Sequence, residues 1–204
     1  MPAPIPNKNK GKKKNMNTTT HTNTKQKTSK PRKKKAVHAG HLDTFFAGYP
    51  EFNYRRGQSS TREFYRMCDF FGWDRDDPER GEAHDDFKTA LVQQFNSLYG
   101  TDEESIESWR GLCLALDVDP LPDNVKDAKE IFKGMFVNLV DLVDTANTGD
   151  EVTQFGSLEE LKEYTINTGK YFPKESAYAG GMLKHLLREI VNKYHNGVSG
   201  RRRR

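Results

Sequence analysis

Between Phe87 and Gly100 the chain repeats an apolar step that a single kind of element satisfies. Phe87, Ala90, Leu91, Phe95, Leu98 and Tyr99 fall three and four residues apart, which lines them along one side of a helix with 3.6 residues per turn. Asp76, Asp77 and Pro78 stand upstream as cap and first-turn proline, and Gly100 can take the left-handed stop. The same spacing returns on both sides of this stretch. Phe64, Met67, Cys68 and Phe71 predict a helix capped by Ser60 or Thr61 and ended by Gly72. Ile106, Trp109, Leu112, Cys113 and Leu116 predict another, behind a capping box formed by Thr101 and Glu104. After the break at Asp117–Pro122, Val125, Ala128, Phe132 and Met135 mark the next.

Phe136–Asp144 is the most apolar run. A strand competes here, but Asn138, Asp141 and Asp144 fall at helical spacing rather than in alternation, so a helix is predicted. A loop follows, with a short extended piece at Glu151–Phe155. Ser157 and Glu160 form a second capping box, opening a helix through Leu158, Leu161, Tyr164 and Thr165 that ends near Gly169. Ala179, Met182, Leu183, Leu186, Leu187, Ile190 and Val191 make the last stripe. Gly180-Gly181 within it suits a close helix crossing; no strand precedes the pair and no Lys-Ser/Thr follows, so it is not a P-loop. The aromatic run Leu42–Tyr54 is divided by Pro50 and predicts a short helix plus an extended arm. Arg55 and Arg56 follow it, which would suit a nucleobase-stacking platform; packing into the core is preferred because aromatic rings bury the most area. The expected fold is all-α: a single compact domain of about six to eight helices over residues 42–195, with a disordered basic tail at 1–41 and a flexible Arg-rich tail at 196–204.

Charge divides the chain along the same boundaries. Residues 1–42 carry eleven lysines and Arg32 and no acid, so +12; Arg201, Arg202, Arg203 and Arg204 add +4; since the whole chain carries +4, residues 43–200 carry −12. An acidic body between basic arms points the arms toward polyanions or toward the body's own acidic face. Lys30, Arg32, Lys33, Lys34 and Lys35 form a packed run beside Pro31 that reads as a nuclear localisation signal, and Lys12, Lys13 and Lys14 form a second cluster. The N-terminal segment lacks the apolar stretch of a secretory signal, and no run nears the roughly 18 apolar residues of a membrane span. Cys68 and Cys113, both on apolar stripes, read as buried reduced thiols.

Catalytic and metal-binding patterns are not recognisable in the linear sequence. There is no Cys-x-x-Cys, His-Glu-x-x-His, Gly-x-Ser-x-Gly or dinucleotide fingerprint. The acids of Trp73–Arg80 lack the ligand order and central glycine of a calcium loop. Asp141 and Asp144 are the only carboxylates embedded in an apolar element. They would serve as a metal or acid–base pair, but helix-surface acids paired with Lys or Arg are the preferred reading. His84 and His185 lie on predicted helices as further titratable candidates. No catalytic residue, metal ligand or cofactor is assigned.

Beyond these patterns, Phe45-Phe46-Ala-Gly-Tyr-Pro50, Glu63-Phe64-Tyr-Arg-Met-Cys68, Phe71-Gly-Trp-Asp-Arg75, Ala90-Leu-Val-Gln-Gln-Phe-Asn-Ser-Leu-Tyr-Gly100, Val137-Asn-Leu-Val-Asp-Leu-Val-Asp144 and Thr168-Gly-Lys-Tyr-Phe-Pro-Lys174, with Gly180-Gly181, carry a resemblance. The body resembles an uncharacterised helical protein family of filamentous fungi. The resemblance implies a lineage and brings no activity, cofactor or site residue.

The expected function is that of a non-enzymatic nuclear protein. Its basic runs would contact nucleic acid or chromatin without sequence preference, or an import receptor, while the helical body recognises a protein partner. An adaptor whose tails serve only import or mask the acidic body is the first alternative. An enzyme of unknown class is the second; a pocket gathering Asp141, Asp144, His84 or His185 would favour it.

Overall fold

In the computed structural model, residues 40–174 and 179–187 are described. They form α1 (His41–Ala47), α2 (Ser60–Phe71), α3 (Pro78–Tyr99), α4 (Ile106–Ala115), α5 (Val125–Lys133), α6 (Leu139–Thr148) and α7 (Leu158–Thr168). Residues 181–187 are helical as well and are called α8. No strand occurs among the described residues, and the one extended pairing is an isolated bridge between Val137 and Gln154. The expected all-α class is therefore the observed one.

The organising element is α3. Its 22 residues span about 33 Å at 1.5 Å per residue. Asp77 is its N-cap residue and Pro78 occupies its first turn. It packs against α1, α4 and α6, while α2 meets α6 and α4 meets α5. That central position explains why Val92 and Gln94 are buried along with the apolar stripe. Gln94 Oε1 accepts the amide of Leu42 and holds the start of α1 against α3.

Around α1 and α2 the core is aromatic. Phe46 stacks on Tyr54 at 4.0 Å and Phe64 on Phe87 at 4.8 Å between ring centres. Phe46 and Phe52 are buried. Arg56 pairs with Asp43 at 2.9 Å, and Arg66 lies over the Phe52 ring. The 42–54 segment is thus the packed arm, and the stacking platform for bases is not formed by its rings. The second half of the core is built from Trp109, Leu112, Cys113, Phe132, the α6 residues Leu139, Val140, Leu142 and Val143, and Met182 and Leu183 of α8. Trp109 donates its indole N–H to the Glu103 carbonyl at 2.8 Å. Cys68 and Cys113 are free and buried, and burial pushes both thiols up.

Several helix ends follow their local chemistry. Gly72 and Gly169 adopt left-handed conformations at φ 69° and 67°, and Ser157 accepts the Glu160 amide. Others shift. The N-cap of α2 is Ser59 rather than Ser60 or Thr61. Ser105, not Thr101, caps α4 by accepting the Ser108 amide, while Asp102 accepts the amide of Glu104 in the preceding turn. The helix expected from Phe136 begins at Leu139: Val137 is engaged with Gln154, and Asn138 caps by accepting from Val140 and Asp141. Gly180 does permit a close approach, but to a loop. A Cβ there would lie 2.6 Å from Thr101 Cβ, and Met182 donates its amide to the Thr101 carbonyl. Ile190 and Val191 lie outside the described residues.

Candidate functional site

The basic runs Lys12–Lys14, Lys30–Lys35 and Arg201–Arg204 all lie outside the described residues. Within them, the titratable groups singled out from the sequence occupy three separate places.

Asp141 and Asp144 share one face of α6. Asn138 fixes that face twice over. Its carbonyl oxygen caps α6, and its amide donates to the Lys170 carbonyl at 3.0 Å and to Thr165 Oγ1 at 3.1 Å. The start of α6 is thereby tied to α7 and to the strap at 169–174. Lys170 Nζ donates to Asp141 Oδ1 at 2.5 Å and to the Tyr164 hydroxyl at 2.9 Å. Burial pulls the lysine down, but these two hydrogen bonds outweigh it and leave its pKa above the ordinary value. Asp141 is thus paired with a lysine, as expected of it.

Asp144 is not. It is buried, and its Oδ2 accepts the backbone N–H of Ser60 at 3.0 Å. The expectation of a surface acid paired with Lys or Arg fails here because the N-terminus of α2 covers it. Ser59 makes no side-chain cap bond to its own helix, so Asp144 supplies the missing acceptor from 84 residues away. Burial pushes its carboxyl up to about 6, against the opposing pull of the Ser60 amide that it accepts. Asp141, Asp144, Lys170, Tyr164 and Ser59 border a polar cavity of about 140 Å³. A carboxyl that titrates near neutrality can exchange a proton there. Among the described residues, no group of three His, Cys, Asp or Glu side chains is disposed to hold a metal ion.

His84 lies elsewhere, on α3, with its ring 5.4 Å from that of Phe64. Burial pulls its pKa down. His185 sits on α8, its ring edge-on to Trp109 at 5.5 Å and its Nδ1 3.9 Å from Glu103. The cavity beside Asp144 therefore brings together Asp141 and Asp144 of the four candidates, and neither histidine lines it.

Two side chains that govern this region escaped the sequence. Lys170 reaches Asp141 across 29 residues, with no local signal. Glu63 had one: it lies next to Phe64 and four residues before Met67, on the inward face of α2. It is buried, and Arg66 and the Arg55 amide hold it in place.

The strap at 169–174 has a cavity on either side. One, of about 200 Å³, lies against α6, α7 and Leu187. The other, of about 350 Å³, lies against α2 and α3 and includes His84 in its wall. Phe172 anchors the strap by packing on Phe95, while Tyr171 and Ile166 face outward. No helix among the described residues is long and apolar enough to cross a membrane. Compared with protein-family models, with curated proteins and with solved structures, the chain matches none.

Proposed function

We propose that this chain is a non-enzymatic nuclear protein. Its basic arms associate with nucleic acid or chromatin, and its helical body recognises a protein partner. The fungal lineage suggested by its motifs belongs to the same proposal. The observation that carries the reading is the partition of charge: +12 over residues 1–42 and +4 over Arg201–Arg204, against −12 over the body between them. A body of that charge repels phosphates, whereas lysine and arginine runs neutralise them whatever the base sequence.

Fluorescence anisotropy with a labelled DNA duplex, titrated with salt, tests it. The full chain is compared with a variant in which Lys12–Lys14, Arg32, Lys33–Lys35 and Arg201–Arg204 become Gln. The full chain is expected to bind with an affinity that falls steeply with salt, at a logarithmic slope of about −0.9 per phosphate neutralised. The variant is expected to lose most of both affinity and slope. Equal binding by the two proteins would move recognition to the body. Absence of binding at physiological salt would leave the basic runs as import signals or as partners of the body's own acidic face.

A further inference from the structure

The polar cavity beside Asp144 carries more negative charge than its own cation balances. Four carboxylates line it: Asp141 and Asp144 from α6, and Asp150 and Glu151 from the segment that follows. Asp150 and Glu151 are exposed at its rim, whereas Asp144 is buried. Lys170 is the one lysine or arginine in the lining, and it is engaged with Asp141 and the Tyr164 hydroxyl. Among the described residues, no cation forms an ion pair with Asp144, Asp150 or Glu151. The N-terminus of α2 brings only about half a positive charge to Asp144. A second observation does not depend on charge. The Ser59 hydroxyl oxygen also lines the cavity, is buried, and has no hydrogen-bond partner. It does not cap its own helix. A buried hydroxyl left in that condition is costly, and nearly all such groups in folded proteins are satisfied. Lys170 shows what this wall accepts, since one carboxylate oxygen and one hydroxyl oxygen hold its ammonium. Asp144 and Ser59 offer the same two groups, and no described residue supplies their cation.

We propose that this cavity binds a primary ammonium group, which donates to the Ser59 hydroxyl and the Asp144 carboxylate and is balanced at the rim by Asp150 and Glu151. The site goes beyond the function proposed above and does not depend on it. Chemistry selects the ligand. The described acids are not disposed to hold a metal ion, which requires a set of oxygens closing on one point. An ammonium carries three donors that can be met by separate groups, hydroxyl and carboxylate together. It also brings the charge that a buried carboxylate without a cation lacks. Size sets a limit: about 140 Å³ is the volume of fewer than about five waters, which admits the end of an alkylamine and excludes a nucleotide or a folded segment. Such an ammonium belongs to a free amine or to a lysine of a partner protein.

Carboxyl-carbon NMR of the full chain at pH 8, where Asp144 is ionised, tests the site. The probe is n-butylammonium chloride; n-butanol and sodium chloride are the controls. The ammonium is expected to shift the Asp144 carboxyl signal and to saturate in the millimolar range, as suits so small a ligand, and neither control is expected to shift it. Ser59→Ala, with Asp144 still reporting, is expected to bind the probe about twofold or more weakly. Asp144→Asn, followed through Glu151, is expected to bind about fivefold or more weakly. Circular dichroism establishes that each variant keeps its helices. Should Asp144→Asn unfold, Ser59→Ala decides, because Ser59 makes no cap bond to α2. An acetylated pentapeptide with one central lysine separates the two sources: tighter binding than n-butylammonium assigns the ammonium to a protein side chain, and weaker binding assigns it to a free amine. The proposal is overturned if n-butylammonium leaves the Asp144 signal in place, if either control shifts it equally, or if the folded variants bind the probe as tightly as the natural chain. None of these results touches duplex binding by the basic runs, so this site and the function proposed above fail separately.

Discussion

Glu63 in α2 and Asp144 in α6 are removed from water to a similar degree, at 1 % and 5 % exposure, and the body treats them in opposite ways. Glu63 has a cation at hand. Arg66 Nε donates to its Oε1 at 2.9 Å, and the Arg55 amide donates to its Oε2 at 2.8 Å. Burial pushes the Glu63 carboxyl up, but these partners outweigh it and bring it below its ordinary value. Asp144 accepts the Ser60 amide and has no cation bonded to it. Its nearest contributing cation, Lys170, is already engaged with Asp141, and burial prevails. Burial alone therefore does not set the charge state of a carboxylate in this body. Depth and partner act together: Glu63 lies beside the partly exposed Arg66, which reaches its oxygens, whereas Asp144 lies deeper and no cation is bonded to it.

The contrast can be broken from the Glu63 side first, where the largest effect is expected. Arg66→Ala leaves Glu63 buried with the Arg55 amide as its remaining strong donor. The expected loss is about 3 kcal/mol, at the low end for breaking a buried pair because Arg66 is partly exposed. Urea unfolding at pH 7 measures it, and the Glu63 carboxyl should then move upward, toward the behaviour of Asp144.

The second effect is on pH dependence. The native Asp144 carboxyl, raised from its ordinary 3.8 to about 6, binds its proton more tightly than the unfolded chain does. Stability from this group falls as pH rises from about 4 to about 6, by on the order of 3 kcal/mol, and stays at the lower level above that. Glu63 works in the other sense: its contribution is present above its ordinary 4.5 and is lost as pH falls through its lower native value. Asp144→Asn keeps an acceptor for the Ser60 amide without the charge. It is expected to be about 2 kcal/mol more stable than the natural chain at pH 8 and to lose that advantage by pH 4. Thermal unfolding across that range decides it.

Smaller changes sharpen the comparison. Lys170→Met removes the cation that holds Asp141, where both side chains are about one-sixth exposed. A loss of about 1 kcal/mol is expected in urea unfolding, together with a further rise of the Asp144 carboxyl. Lys88→Ala, at the open Lys88–Asp85 pair, is expected to stay within about 0.5 kcal/mol.

The same contrast explains which parts of the molecule could be read from sequence. Pro78, Ser157, Gly72 and Gly169 act on their own helix ends, so a window of four residues contains their chemistry, and Asp77 at the N-cap of α3 turns its carboxylate back to the Asp74 amide. Thr101 was expected to cap α4 from its spacing to Glu104, but Ser105 takes that place. Thr101 is committed elsewhere, against Gly180 and Met182. Asp144 was expected at the surface of α6 and is buried, because helical period gives a side and not its cover. The cover is Ser59 and Ser60, brought in by tertiary packing. Lys170 and the cavities beside the strap are hidden for the same reason: their neighbours come from α2, α3, α6, α7, α8 and the strap itself. Glu63 was within reach, as a carboxylate on the inward face of an apolar stripe with an arginine three residues on.

The most direct test is a carboxyl-carbon NMR titration of the full chain, following Glu63 and Asp144 in one sample. Asp144 is expected to titrate near 6 and Glu63 below 4.5. Titration of both at their ordinary values, or Glu63 above Asp144, would contradict the account.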